Sequence, residues 1–267
     1  MEGIRNKQEK LTEPVISVVI PFYNEAENIS TVCGELRSVL ESSLKQSWEA
    51  VLVNDGSDDG TGEEINRWAE IPFFRAVHLG RNMGQSAALF AGFSAARGKY
   101  IFTLDGDGQN DPADIPLILE KMTELGVDMM CGVRAERNDN FVRRFSSRLA
   151  NRLRSRLLGD NISDVGCSSR GFRRECLEGF RFFRNAHRFF PALVQMAGYT
   201  VAEMPVRHRP RNKGISKYGA GINSRLWVGM ADLLGVYWMK KRYIRLSSHE
   251  HRVNQKKELS SRMASGE

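Results

Sequence analysis

The stretch YIFTLDGDGQNDP (Tyr100–Pro112) changes character half-way along. YIFTL reads as a short buried strand. Asp105, Asp107 and Gln109 then follow at two-residue steps among glycines, and Asp111-Pro112 suits an N-cap followed by a first-turn proline. Carboxylates this close repel one another unless a proton or a cation lies between them. Hard divalent cations such as Mg2+ or Mn2+ favour oxygen ligands of this kind and complete their shells with substrate phosphates. A simple polar turn uses the same residue types, so the segment alone leaves both readings open.

The same transition from apolar run to polar cluster recurs outward from this point. ISVVIP (16–21), AVLV (50–53), AVHL (76–79) and MMCGV (129–133) read as strands, as does YTVAEMPV (199–206) further on. Between them Ile29, Val32, Leu36, Val39 and Leu40 recur at helical spacing, and 87–96 and 115–125 also read as helices. Alternating strands and helices predict an α/β domain: a mostly parallel, Rossmann-like sheet with helices on both faces and a ligand crevice at the carboxyl ends of the strands. PFYNE, NDGSDDGT, GRNMG and DGDGQND all fall at those ends.

The chain of 267 residues, 41% hydrophobic and 27% charged, has the composition of a globular protein with a substantial core. Cys33, Cys131, Cys167 and Cys176 form no C-x-x-C pair, which argues against structural zinc or a disulfide framework and fits a reducing cytosol. Residues 1–14 are a polar extension without the apolar centre of a secretory signal. The net charge of +7 is concentrated in the second half. Residues 134–156 carry eight Arg against Glu136 and Asp139, and residues 207–245 carry ten Lys or Arg against Asp232 alone. A localised anionic partner is implied: nucleic acid, phosphate groups or an anionic membrane.

Two segments of the second half stand out. Phe141, Phe145, Leu149, Leu153 and Leu157 step by four beside Arg144, Arg148, Arg152 and Arg156, giving an amphipathic helix with an arginine stripe. Like charges at that spacing repel by a few tenths of a kcal/mol per pair, roughly what such pairs are worth, so the stripe calls for a purpose. LWVGMADLLGVYWM (226–239) is apolar except for Asp232 and is followed by Lys240, Lys241 and Arg242. It is too short to span a bilayer but suits an interfacial helix over 226–246, with Leu226, Trp227, Met230, Leu233, Leu234, Tyr237 and Trp238 to one side. Packing on the domain or a homo-oligomer contact through 226–239 is the other reading. Residues 247–267 have the composition of a disordered tail.

No G-x-G-x-x-G follows the first strand, and neither a P-loop nor a G-x-S-x-G elbow occurs. The runs VIPFYNE (19–25), VNDGSDDGT (53–61), GRNMG (80–84), DGDGQ (105–109), GVR (132–134), SRGFR (169–173) and RNKGISKY (211–218) instead resemble, in order and over roughly residues 15–245, the family 2 glycosyltransferases. The likeness is to the branch of dolichyl-phosphate mannosyltransferase and the bacterial enzymes that load a sugar onto undecaprenyl phosphate. This resemblance implies a GT-A catalytic domain over 15–225, with Pro21, Tyr23, Glu25, Val53 and Asp55 around the nucleoside. It further implies Asp105, Gly106 and Asp107 as the D-x-D motif, Gln109 as a further ligand of Mg2+ or Mn2+, and Arg134, Arg211 and Lys217 on the donor diphosphate. Arg148 matches a cation that faces the acceptor phosphate, so Asp107, Arg134 and Arg148 are expected to carry catalysis. Asn54 stands where the family has an acid, Gly108 where it often has Leu, and Asn110-Asp111-Pro112 where two prolines usually close the segment. Two glycines are expected to loosen the loop.

The expected reaction moves a sugar with inversion from a UDP- or GDP-linked donor to a polyprenyl phosphate on the cytoplasmic face of the membrane. A phosphate monoester is largely ionised at pH 7 and needs little general-base help. Q-x-x-R-W, a motif of polysaccharide-synthesising relatives, is absent. A transferase acting on a glycan hydroxyl would need a base, for which Asp164 is the candidate. Nucleic acid is not expected as a partner, because the aromatics beside the arginine stripe fall on its apolar face. His78, His187 and His208 have no metal-ligand spacing.

Overall fold

The computed structural model describes residues 14–134, 151–178, 180, 182–210 and 222–244, with 222–226 given by backbone alone. Its first half alternates β1 (Ile16–Phe22), α1 (Ala26–Ser43), β2 (Trp48–Asn54), α2 (Thr61–Ala69), β3 (Phe74–His78), α3 (Gln85–Ala95), β4 (Tyr100–Thr103), α4 (Asp114–Leu125) and β5 (Met129–Arg134). There follow helical residues 151–158 (α5), β6 (Arg170–Arg173), α6 (Phe190–Ala197), β7 (Val201–Val206) and α7 (Ile222–Arg242). The seven strands form one sheet in the order β3-β2-β1-β4-β6-β5-β7. β6 runs antiparallel to both its neighbours, and every other pairing is parallel.

Side-chain alternation along each strand divides the core between the two faces of the sheet. Ile16, Val18, Ile20 and Phe22 of β1, with Leu52 and Phe102, pack under Ile29, Leu36 and Leu40 of α1 and Ile115, Ile118 and Met122 of α4. Val19, Val51, Val53 and Ile101 face the other way, against Ala88, Leu89 and Phe93 of α3 and Phe190 and Val194 of α6. Phe102 is wholly enclosed, a side chain whose truncation costs about 3–5 kcal/mol. The chain leaves β1 in one direction for β2 and β3 and later returns to place β4 on its other side, which opens a crevice beyond the carboxyl ends of β1 and β4.

Three expectations change. Asp111 Oδ1 accepts the Ala113 N–H at 3.0 Å, but it caps a turn, and α4 starts at Asp114. In α5 Leu153 is 43% exposed while Arg154 is buried, its guanidinium paired with Asp160 and donating to the Ile162 carbonyl. The apolar side of the helix is therefore turned from the one that the four-residue steps give. The preceding turns of the helix expected from Phe141, including Arg144 and Arg148, lie outside the described residues.

The third change concerns α7, whose expected single apolar side is two. Leu233 and Val236 are buried against Leu158, Phe189, Ala192 and Met196, with Tyr237 partly buried beside them. Trp227, Leu234 and Trp238 point away, at 74%, 56% and 64% exposure. Asp232 accepts a hydrogen bond from Asn185 Nδ2 at 2.9 Å, and Lys240 donates to the Leu158 carbonyl. Among the described residues no helix is long and apolar enough to cross a membrane.

Candidate active site

Asp105 lies two residues beyond the end of β4, in the crevice, and its surroundings explain the loop sequence. Its backbone N–H donates to Asn110 Oδ1 at 2.8 Å, and Asn110 Nδ2 donates to Ser169 Oγ at 2.8 Å, so Asn110 ties the loop to the start of β6. Gly106 lies against the Phe22 ring, where a Cβ would come within 2.4 Å, and Gly108 has φ +74°. The glycines therefore answer to packing and conformation, and the loop they build is pinned, not loose.

The Asp105 carboxylate accepts from Gln85 Nε2 at 2.8 Å and from Ser168 Oγ at 2.7 Å. Burial, reinforced by the neighbouring Asp107 charge, pushes its pKa up to about 6 despite the Ser168 hydrogen bond and the Arg170 and Arg134 cations. Asp107 Oδ1 accepts the Gln109 N–H at 3.1 Å. Gln109 Nε2 donates to the Arg209 carbonyl at 3.2 Å, which leaves its Oε1 to serve as a ligand. Among the described residues no group of three His, Cys, Asp or Glu can hold a metal ion. Two carboxylates and an amide oxygen nevertheless suit a hard divalent cation that takes the rest of its shell from a diphosphate and water.

The crevice has two halves. One, of about 490 Å³, is lined by Pro21, Tyr23, Glu25, Asp55, Gly106 and Asp107, which brings most of the nucleoside set together. Val53 departs from that set: its side chain is fully buried in the core with Val19, because its position in β2 points to the interior face of the sheet. Asp55 is itself buried and accepts the Met83 and Gly84 N–H groups at 2.8 and 2.9 Å. Burial raises its pKa, and these two bonds partly offset the rise. Asp55 thus shapes the GRNMG loop as well as lining the pocket. Asn54 is also accounted for, since its Oδ1 accepts the Ser57 N–H at 2.9 Å and holds the turn that follows β2.

The other half, of about 730 Å³, is lined by Asp105, Asp107, Gln109, Arg134, Arg170 and Arg188. Arg134 does not stand alone there. Its Nε and Nη2 donate to the two oxygens of Asp164 at 2.8 and 2.9 Å, a two-pronged pair at the cleft wall. Arg148, Arg211 and Lys217 lie outside the described residues. The segment leading to the latter two is stitched to the Asp107 loop: the Arg209 N–H donates to the Gln109 carbonyl at 2.8 Å, and the Arg209 guanidinium pairs with Asp111 and Glu35.

Gln85, Asn110, Ser168, Arg170, His187 and Arg188 belong to the site without having been read from the sequence. GRNMG ends one residue before Gln85, and SRGFR contains Ser169 and Arg170, so proximity to those motifs was the one signal present.

The chain is 35% identical over 246 residues to a dodecaprenyl-phosphate galacturonate synthase of Rhizobium johnstonii, covering 90% of this chain and 72% of that protein. It is 38% identical over 206 residues to an undecaprenyl-phosphate 4-deoxy-4-formamido-L-arabinose transferase of Edwardsiella ictaluri, covering 76% of this chain and 63% of the relative. The fold resembles a Pyrobaculum calidifontis mannosyltransferase in complex with GDP-Man and Mn2+, with TM-score 0.59 and 20% identity over 89% of this chain and 67% of that one. It also resembles a Mycobacterium tuberculosis glucosyl-3-phosphoglycerate synthase in complex with Mn2+ and UDP-glucose, with TM-score 0.61 and 18% identity over 83% and 79% of the two chains. The architecture is the GT-A fold. Residues 17–180 match the sequence model of glycosyl transferase family 2, and the chain belongs to that family.

Proposed function

We propose that this chain transfers a sugar from a nucleoside-diphosphate donor to a polyprenyl phosphate with inversion at the anomeric carbon. The observation that carries this reading is the Asp105–Asp107 pair at the crevice, with a nucleoside-sized pocket on one side and one that includes Arg188 on the other. The names of the relatives agree with it. Asp105, Asp107 and Gln109 Oε1 would hold Mg2+ or Mn2+, which when bound offsets charge on the departing diphosphate.

The remaining work falls to protein groups. Pro21, Tyr23, Glu25 and Asp55 bind the nucleoside, and Arg188, exposed in the other half, draws in the second anion. A phosphate oxygen of the acceptor attacks the anomeric carbon as the bond to the diphosphate breaks, and the nucleoside diphosphate leaves. Asp164 bears on the choice of acceptor: with both oxygens held by the Arg134 guanidinium, it is poorly placed to take a proton from a hydroxyl. An ionised phosphate needs no such base.

The outer face of α7 supports docking on an anionic bilayer, the surface where a polyprenyl phosphate resides. Trp227 and Trp238 are side chains that favour the headgroup boundary. Lys241 and Arg242 close the same helix, and each cation near such a surface is worth about 1 kcal/mol. We place the protein on the inner leaflet on this basis. The transferase reading is tested by screening UDP- and GDP-sugars with Mn2+ or Mg2+ and a short polyprenyl phosphate. Lipid-dependent release of nucleoside diphosphate supports it, and sugar transfer to a glycan hydroxyl but not to lipid phosphate overturns the choice of acceptor.

A further inference from the structure

The two halves of the crevice share Gln85, Asp105, Asp107, His187 and Arg188. A donor with its nucleoside beside Pro21 and Tyr23 and its diphosphate at Asp107 places its sugar at this junction. Of the shared side chains, His187 is the one with no role yet, and its setting is built in detail. The segment that carries it is anchored from behind: Arg170, itself buried over the Phe190 ring, donates from Nη1 to the His187 carbonyl at 2.6 Å and from Nη2 to the Val165 carbonyl at 2.6 Å.

The ring is oriented as well as anchored. Its Nδ1 lies 2.7 Å from Ser86 Oγ in the first turn of α3, and the same oxygen accepts the His187 backbone N–H at 3.3 Å. A hydroxyl that accepts the amide proton keeps its own proton, and giving it to Nδ1 would put the ring's N–H on Nε2. Among the described residues Nε2 has no protein partner, and it is not among the enclosed polar atoms. Burial, then the Arg170 and Arg188 charges, lower the ring's pKa to about 3, so the imidazole stays neutral. A neutral donor can bind a hydroxyl without competing with the metal site for the diphosphate charge.

We propose that His187 binds the donor sugar through Nε2–H, donating to a hydroxyl or ring oxygen of the sugar, and that Ser86 is the positioning residue that fixes its tautomer. This inference rests on the transferase reading and adds a contact that selects among sugars. A site built to donate a hydrogen bond discriminates against ligands that leave the donor unpaired.

The test begins with wild-type protein, Mn2+, a short polyprenyl phosphate and a panel of UDP- and GDP-linked hexoses, hexuronates and aminopentoses. If none is turned over, the transferase reading falls and this one falls with it. With an active donor in hand, His187→Leu, His187→Gln and Ser86→Ala are compared for kcat/KM and, by calorimetry, for affinity toward the matching nucleoside diphosphate. His187→Leu is expected to lower kcat/KM about tenfold, the scale of one hydrogen bond, with nucleoside diphosphate affinity unchanged. His187→Gln, which can present an N–H near the same point, recovers most of the loss. Ser86→Ala loses less than His187→Leu and adds nothing to it in the double variant. Equal losses for donor turnover and nucleoside diphosphate binding, or a Gln variant no better than Leu, would assign His187 a structural role. Unchanged turnover in His187→Leu overturns the contact while leaving the transferase reading intact.

Discussion

Glu49 and Asp105 are carboxylates at opposite ends of the same sheet, and their partners differ in kind. Glu49, near the start of β2 and 2% exposed, accepts from Ser17 Oγ, the Arg97 N–H, the Arg97 guanidinium and Arg75 at 2.7 to 3.0 Å. Asp105, just past the end of β4, accepts from the neutral Gln85 amide and Ser168 hydroxyl and has Asp107 beside it. Burial pushes both carboxyls up. For Glu49 the hydrogen bonds from Ser17, Arg97 and Arg75 outweigh it and its pKa is lowered, whereas for Asp105 it rises to about 6. Folding closes the charge balance at one end and leaves it open at the other, where a ligand completes it.

The contrast breaks first on activity. Asp107→Asn is expected to lower turnover by at least about a hundredfold, the scale of losing one key electrostatic element, while excess chelator abolishes turnover in the wild type. Full activity in chelator would remove the reason for the open end. Glu49→Gln is expected to destabilise by about 1–3 kcal/mol at pH 7, since hydrogen bonds to a buried charge are lost, with activity per folded molecule unchanged. Because the folded pKa is the lower one, that contribution is present above the unfolded value and disappears as pH falls through the folded value, below about 4.3. Urea titrations at pH 7 and pH 3 read the difference.

Asp105→Asn should go the other way. Its raised pKa means that the charged form costs stability above about pH 6, and the cost fades as pH falls toward the unfolded value near 4. In chelator at pH 8 the variant is expected to melt higher than wild type by about 2–4 °C, the shift of roughly 1 kcal/mol. A lower melting temperature would place Asp105 in the same class as Glu49. The smallest effect on stability falls at α7. Trp227→Ser with Trp238→Ser should alter stability by no more than about 0.5 kcal/mol, as surface changes do, yet abolish co-sedimentation with anionic vesicles at low salt. Wild-type protein that ignores vesicles but self-associates through this face would assign it to a second copy of the chain.

Much of this was legible from the sequence, for physical reasons that differ by element. β1, β2 and β4 are buried on both sides and declare themselves as apolar runs, so the sheet and the carboxylates at its tips could be read directly. β6 could not. RGFR has one large apolar residue, Phe172, and takes strand geometry because β4 and β5 offer it two open edges. α2 gives little periodic signal because Thr61 and Ile65 are its buried residues, with Trp68 half-buried beside them. The Val53 side chain lies in the core, since a motif gives a residue's neighbourhood and not the face its side chain takes. His187 and Ser86 are 101 residues apart, and only the fold brings them together.

β6 also constrains the order of events during synthesis. β4 and β5 never pair with each other, since β6 separates them and bonds to both. When Arg134 leaves the ribosome, β4 still has a bare edge, and it keeps that edge until Arg173 has emerged as well. An unpaired central edge is a template for pairing with another chain. The nascent protein thus passes through an interval of exposure to aggregation, longest when elongation is slow between these two arginines.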